Sequence, residues 1–157
     1  MALPVRSVGV RVLRSKIAWL VLALAGLVCA PAAHAGNQGE ELFGPAFKSV
    51  KVVKDGERHP LFDDATVRLK FTDHDGRDVA GWNVDCNFFG ARVDVGQKRL
   101  ELWRPFQTLI GCDRRRERQD RWVANFLTSD PRWSLDGRRL KLGEGDDRIV
   151  LERRAAA

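Results

Sequence analysis

Hydrophobic and polar residues alternate with a period of two along several short stretches of the chain. In the clearest stretch, Val67, Leu69 and Phe71 share one face, while Arg68 and Lys70 take the other. This alternation is typical of a strand that is buried on one side only. Further stretches with alternating or β-branched residues predict strands near residues 48–54, 93–95, 100–103, 133–135, 140–142 and 149–151.

Short glycine-containing steps separate many of these stretches. Asp75-Gly76 and Asp136-Gly137 predict tight hairpin turns, because Asp-Gly tolerates the positive φ that two-residue turns require. Gly96-Gln97 occupies the corresponding place between two later strands. Neighbouring strands are therefore expected to pair antiparallel.

One segment, residues 113–129, has the period of a helix and contains neither Gly nor Pro. Asp113 is a suitable N-cap, and Asp130-Pro131 is a suitable end. The residues at helical spacing on its apolar stripe are Gln119, Trp122, Val123, Phe126 and Leu127. We therefore predict an α+β fold that is mainly antiparallel β, in which a curved sheet or partial barrel carries one packed amphipathic helix.

The first 35 residues have the features of a secretory signal peptide. A positively charged start precedes an apolar run of 12 residues, and Ala33-His34-Ala35 forms a small-residue cleavage site. The run is shorter than the roughly 20 apolar residues that span a bilayer. We predict cleavage between Ala35 and Gly36, a periplasmic or secreted location, a loosely ordered segment over residues 36–48, and one domain over residues 49–154.

Cys29 permits a second interpretation of the leader, in which the cysteine carries a lipid anchor. Lipoprotein processing favours a small residue directly before the cysteine and a leucine-like residue three positions before it. Val28 and Gly26 occupy those positions. The signal peptide is therefore the preferred interpretation, and Cys29 is then one more hydrophobic residue of the leader.

Removal of the leader changes the charge of the chain. The full sequence has 27 Lys and Arg against 21 Asp and Glu, a net charge of +6. Four of the basic residues and none of the acidic ones lie in the leader, so 23 remain against 21, a net charge of +2. Both signs are dispersed along the chain, and we expect no nucleic-acid partner.

Cys86 and Cys112 are the two cysteines outside the leader. In an oxidising compartment they would most simply form a disulfide, closing a loop of about 27 residues and stabilising the fold by roughly 3 kcal/mol. Separate thiols, a metal site and a catalytic thiol are the alternatives. A zinc site needs about four ligands, and outside the leader only His59 and His74 add histidine ligands. We expect neither a metal nor a cofactor.

The order of several motifs resembles the META domain of HslJ-like bacterial envelope proteins. The segment from Cys86 to Gly90, Cys-Asn-Phe-Phe-Gly, is similar to the family's Gly-Cys-Asn step followed by an aromatic residue and a glycine. The segment from Thr108 to Cys112 matches the family's Thr-x-x-x-Cys element. The helix and three closing strands follow in the expected order, so the resemblance covers residues 51–154.

This resemblance implies an exported half-barrel domain in a family without an established catalytic activity, loosely associated with stress tolerance, drug resistance and envelope integrity. We therefore expect a non-enzymatic binding or structural accessory of the cell envelope, present as a monomer and without a transmembrane helix. The alternative is a small lipid or hydrophobic-ligand carrier that uses an open half-barrel cleft.

The beginning of the predicted helix is unusually basic. The helix dipole disfavours cations at this end. Exposed guanidinium groups would bind an acidic envelope protein or the phosphates of an anionic lipid surface. The alternative is a solvated face paired with Glu117 and Asp120. The candidate residues are Arg114, Arg115, Arg116, Arg118 and Arg121.

Aromatic residues are numerous for a chain of this length. Most are expected in the core, since large rings supply much of the burial in a small domain. In a barrel that is open at one end, some would instead line a cleft for an apolar ligand. These residues are Trp82, Phe88, Phe89, Trp103, Phe106, Trp122 and Trp133.

Overall fold

The computed structural model describes residues 39–154 of the chain. The predicted signal peptide, its cleavage site between Ala35 and Gly36, and Cys29 lie outside the described residues. No helix in the described part is long and apolar enough to cross a membrane.

The described residues form nine strands, one α-helix and two short 3₁₀ turns. The helix is α1 (Arg114–Leu127), and the 3₁₀ turns cover Glu40–Leu42 and Phe62–Asp64. The strands are β1 (Ala46–Lys54), β2 (Glu57–Arg58), β3 (Arg68–Asp73), β4 (Asp78–Asn83), β5 (Phe88–Val95), β6 (Leu100–Gln107), β7 (Trp133–Asp136), β8 (Arg139–Glu144) and β9 (Asp147–Arg153).

All nine strands belong to one curled sheet in the order β6-β5-β4-β3-β1-β9-β8-β7, with β2 paired to β1. Every pair of neighbouring strands is antiparallel. The first and last strands of this order approach each other, because Leu100 N donates to Pro131 O at 3.0 Å and Trp133 N donates to Lys98 O at 3.0 Å. The sheet is thus a half-barrel, and the predicted α+β class is confirmed.

The concave side of the sheet is filled by apolar side chains. Strands from both halves of the sheet contribute, including Phe71, Trp82 and Leu140. Helix α1 adds Val123 and Leu127 to the same cluster of buried residues. The interior is therefore a packed core, and its burial is the main stabilising contribution to the fold.

The chain enters regular structure earlier than its sequence indicates. Residues 40–42 form a 3₁₀ turn and β1 begins at Ala46, although residues 36–48 were expected to be loosely ordered. The reason is that Leu42 and Phe47 are fully buried in the core. The burial of these two side chains orders the segment, although the polar, glycine-containing sequence around them shows little hydrophobic periodicity.

The predicted turns are found, one with a shift. Asp75 and Gly76 have φ of 53° and 69° and form a two-residue hairpin turn between β3 and β4, closed by hydrogen bonds between His74 and Arg77. In the β7–β8 hairpin Asp136 pairs with Arg139. The turn there is therefore residues 137–138, one position later than predicted.

Candidate functional site

Helix α1 begins at a well-formed N-cap. The carboxylate of Asp113 accepts hydrogen bonds from Arg115 N at 2.8 Å and Arg116 N at 3.2 Å. The backbone hydrogen bond from Arg116 is the largest cause of a lowered pKa of Asp113, and the nearby guanidinium groups act in the same direction. A negative charge at this end also offsets the unfavourable position of the arginines relative to the helix dipole.

The five candidate arginines do not form one uniform patch. Arg116 is half-buried and lies 3.0 Å from Asp63, 3.1 Å from Asp85 and 3.2 Å from Asp113. The contact with Asp85 is an ion pair without hydrogen-bond alignment. Arg116 therefore ties the start of α1 to two other segments and is not free for a partner.

The other four arginines are exposed. Arg115 lies over the ring of Phe62, 5.6 Å from its centroid, in a cation–π contact. Arg114, Arg118 and Arg121 follow each other at spacings of four and three residues, so they share one face of α1. None of these three forms an ion pair with a described carboxylate. We call Arg114, Arg118 and Arg121 the basic stripe.

The two cysteines lie beside this helix start. Cys86 is in the turn between β4 and β5, and Cys112 directly precedes the N-cap residue of α1. Their Cα atoms are 6.4 Å apart and their sulfur atoms are paired at disulfide distance. This separation lies in the range that a disulfide spans. The pair connects the β4–β5 turn to the segment between β6 and α1.

Asn87 holds the same two segments together through its side chain. Its Oδ1 atom accepts from Ile110 N at 3.0 Å and from Thr108 Oγ1 at 3.1 Å, and its Nδ2 atom donates to Ile110 O at 3.4 Å. Thr108 Oγ1 in turn accepts from Phe88 N at 3.1 Å. These bonds fix the conformation of residues 108–111, which we call the β6–α1 loop.

Asp120 connects the helix to this arrangement. Its Oδ2 atom accepts from Asn87 N at 2.9 Å, and the residue is 2% exposed. Its Oδ1 atom has no hydrogen-bond partner. Burial raises the pKa of Asp120, while the hydrogen bonds from Asn87 act in the opposite direction. The carboxyl group is thus an internal anchor of α1, and it is not a partner of the arginines.

The β6–α1 loop presents apolar side chains to solvent. Leu109 is 90% exposed, and Ile110 is also exposed. We call Leu109 and Ile110 the apolar tip. Three aromatic residues on β5 and β6 are exposed as well, and we call Phe88, Trp103 and Phe106 the aromatic patch.

Four of the seven aromatic residues singled out in the sequence lie in the core or pack against it, as expected for most of them, and the three of the aromatic patch do not. Trp82 and Phe89 are buried, whereas Trp122 and Trp133 are half-buried and the three residues of the patch are exposed. The rings of Phe88 and Phe106 lie over glycines of the sheet. A Cβ at Gly81 would come within 2.9 Å of the Phe88 ring, and one at Gly90 would collide with the Phe106 ring.

A groove of about 600 Å³ separates the end of β6 from α1. One wall consists of residues 105–111, including Phe106 and the apolar tip. The other wall is helical and includes Asp120, Arg121 and Ala124. Because Arg121 and Ile110 border the same groove, the basic stripe and the apolar tip are neighbours on the surface.

The sequence did not identify Asn87 and Asp120 as organising residues. Asn87 follows a cysteine in a motif whose order suggested a family, but no spacing rule predicts its bonds to a loop 20 residues away. For Asp120 a signal was available. It precedes Val123 by three and Leu127 by seven residues, which places it on the buried face of the helix.

No group of three or more His, Cys, Asp or Glu side chains that could hold a metal ion occurs within residues 39–154. The described corner instead combines exposed cations, exposed apolar side chains and a groove. Chemically, exposed guanidinium groups can attract anions, and a groove with apolar side chains can receive apolar groups.

The half-barrel of antiparallel strands with one helix packed at its open end defines the structural class of this domain. The family model of the META domain matches residues 40–156, and the chain belongs to the META domain family. A comparison with curated proteins finds no significant match.

Two solved structures share the fold. One is the NMR structure of a protein from Burkholderia xenovorans, with a TM-score of 0.58 and 15% identity, covering 76% of this chain and 88% of that chain. A second NMR structure has a TM-score of 0.50 and 15% identity, covering 72% of this chain and 92% of that chain. At this identity the likeness concerns the fold alone.

Proposed function

We propose that this protein is an exported, non-enzymatic META-type accessory of the cell envelope, which binds an acidic partner through the basic stripe. In this proposal it contributes to stress tolerance by binding. The supporting observation is the division of labour among the arginines. Arg116 forms ion pairs with three carboxylates. The three arginines of the basic stripe, in contrast, share an exposed face and form no ion pair with any described residue.

Three guanidinium groups on one helix face provide up to fifteen N–H donors by the general chemistry of arginine, with five on each group. Such groups recognise carboxylates and phosphates in bidentate geometry. Because the groups are exposed, the attraction is screened by salt. Binding to an acidic partner is therefore expected to weaken as ionic strength rises.

The test uses the variant Arg114→Gln/Arg118→Gln/Arg121→Gln and two anionic probes, vesicles containing phosphatidylglycerol and polyglutamate. The matched control is Arg58→Gln/Arg68→Gln/Arg77→Gln, which removes the same charge from exposed positions elsewhere. We expect the stripe variant to lose binding by tenfold or more at low salt, at about 1 kcal/mol per arginine near an anionic surface, while the control retains it. Equal loss in both variants would reduce the proposal to an effect of net charge.

Export is supported by the leader sequence and by the cysteine pair at disulfide distance, since disulfides persist in oxidising compartments. Intact-mass spectrometry of protein purified from cells, with and without reduction before alkylation, tests both. We expect a chain that starts at Gly36 and is two hydrogens lighter than its dithiol form. An uncleaved chain in which Cys29, Cys86 and Cys112 are all free thiols would contradict export.

The carrier alternative keeps one supporting observation, which is the groove between β6 and α1. Its volume of about 600 Å³ is in the range of ligand sites. Because the core is filled by side chains, such a ligand would bind in this groove and not in the interior of the half-barrel. Displacement of a fluorescent fatty acid, compared between the wild type and Ala124→Trp, tests it. A carrier would lose affinity in the variant, while an accessory without a groove ligand would bind the probe in neither form.

A further inference from the structure

The exposed apolar residues of the described chain are concentrated in one region. Of the seven large hydrophobic residues that are exposed, five lie on β5, β6 or the β6–α1 loop. They are the apolar tip and the aromatic patch. Exposed apolar side chains that are concentrated in one region mark an interaction site in a folded protein.

The apolar tip is held in place and is not a loose segment. Asn87 forms three hydrogen bonds to the β6–α1 loop, two of them to the backbone of Ile110 itself. The pairing of Cys86 with Cys112 fixes the end of the loop. A fixed conformation removes the entropy that a mobile loop would lose on binding, so these contacts prepare the tip for a partner.

Cations lie next to the tip, together with the exposed carboxylate of Glu117, which borders the same groove. Arg121 borders the same groove as Ile110, and Arg118 and Arg114 continue along the helix from it. Apolar and aromatic side chains flanked by arginines match the boundary of an anionic bilayer. Aromatic rings favour the headgroup level and cations attract anionic lipids.

A second copy of the chain fits this region less well. The exposed half of β6 would offer its edge to another strand, but Pro105 lacks an N–H group and Arg104 has a φ of 52°. Both features interrupt regular strand pairing.

We propose that the apolar tip and the aromatic patch enter the headgroup region of an anionic phospholipid bilayer, while the basic stripe contacts the lipid phosphates. The inference rests on the proposed function and names the acidic partner as a membrane surface. The helix start and the β6–α1 loop then form one membrane-contact surface, and the half-barrel core serves to hold it.

The test combines vesicle co-sedimentation with tryptophan quenching by brominated lipids in phosphatidylglycerol-containing vesicles. The main variant is Leu109→Ser/Ile110→Ser, and Val50→Ser is an exposed apolar control on β1. We expect the double variant to lower the partition coefficient by about tenfold or more, as removal of inserted apolar area requires, with an unchanged melting temperature. The control variant binds as the wild type does.

Trp103 reports the depth of the contact. Brominated lipids are expected to quench the fluorescence of the wild type, and Trp103→Phe is expected to remove most of the quenched signal. Retained quenching in Trp103→Phe would place another tryptophan at the bilayer and overturn the orientation proposed for the surface.

The outcomes separate this inference from the proposed function. Vesicle binding that depends on the basic stripe but is unchanged in Leu109→Ser/Ile110→Ser would overturn the insertion and leave the proposed function standing. Binding to polyglutamate without binding to vesicles would do the same and favour an acidic protein. Binding to neither probe would overturn both.

Discussion

The two halves of strand β6 belong to one continuous strand but serve different purposes. In the first half, Leu100 and Leu102 are buried, and Leu100 N bonds to Pro131 O, which joins the two ends of the sheet. In the second half, residues 103–107 are exposed and pair with β5 alone. Residues that look alike in the sequence therefore stabilise the core at one end and form a surface at the other.

The change occurs at a local irregularity. The pairing of β5 with β6 shifts register between Gly90 and Arg92, opposite Arg104 and Pro105. Arg104 adopts a positive φ, as bulged residues often do. The bulge changes which side chains face inward, and Phe106, the aromatic residue that follows it, is exposed.

The largest contrast is expected between two leucines. Leu140→Ala removes a fully buried side chain and should lower the free energy of unfolding by about 2–5 kcal/mol. Leu109→Ala, at the apolar tip, should change it by less than about 0.5 kcal/mol. Urea denaturation of both variants checks this. Comparable losses would show that the tip belongs to the folding core.

The cysteine pair should stabilise the exposed end. The double variant Cys86→Ala/Cys112→Ala is expected to lower the free energy of unfolding by roughly 3 kcal/mol, because the unfolded chain regains the freedom of the open loop. Denaturation of the oxidised wild type and of the double variant measures the loss. An unchanged midpoint in the wild type before and after reduction would show that the pair is not bonded.

The side chain of Asn87 should contribute to the free energy of unfolding through its hydrogen bonds. Asn87→Ala removes its three side-chain hydrogen bonds to the β6–α1 loop, which is expected to cost about 1–3 kcal/mol. Asn83→Ala is the matched control, since no hydrogen bond of its side chain occurs among the described residues. Equal effects of the two changes on urea denaturation would contradict the claim that the hydrogen bonds of Asn87 stabilise the β6–α1 loop.

The smallest predicted effect is a pH dependence from Asp120. Because burial raises its pKa in the folded protein, the unfolded chain releases this proton first as the pH rises. The contribution of Asp120 to stability is thus complete below the ordinary aspartate pKa of about 3.9 and is lost as the pH rises through the raised value.

Urea denaturation of the wild type, of Asp120→Asn and of the exposed turn variant Asp136→Asn across this pH range measures that contribution. As the pH rises, the free energy of unfolding of the wild type should fall relative to that of Asp120→Asn. The curve of Asp136→Asn, in which an exposed aspartate is replaced, is the reference for that difference. Parallel curves for all three proteins would contradict the raised pKa of the buried Asp120 carboxyl group.

Much of the fold was readable in the sequence because its signals are local. The alternation around Val67 to Phe71, the Asp75-Gly76 turn and the Asp113 cap each depend on a few neighbouring residues, and each is found in the structure. The half-barrel class followed from the number of short strands. The predicted pairing of Cys86 with Cys112 is also found at disulfide distance. The distance between the two residues in space depends on the fold and does not follow from their separation in the sequence.

The candidate site was less readable because it depends on contacts between distant segments. Strict alternation would place Trp103 and Phe106 on opposite faces of β6, and the sequence does not reveal the bulge between them. The run of arginines likewise does not reveal that Arg116 meets Asp63 and Asp85 from other parts of the chain. These features became visible only when the sheet order brought the segments together.

The most direct test of the central claim, that the apolar tip is held in a fixed conformation, is amide hydrogen exchange at Ile110 in the oxidised protein. Ile110 N donates to Asn87 Oδ1 at 3.0 Å, whereas no hydrogen bond from Leu109 N occurs among the described residues. We expect strong protection of the Ile110 amide, rapid exchange at Leu109, and loss of the Ile110 protection in Asn87→Ala. Exchange at Ile110 as fast as in an unfolded peptide would contradict that claim.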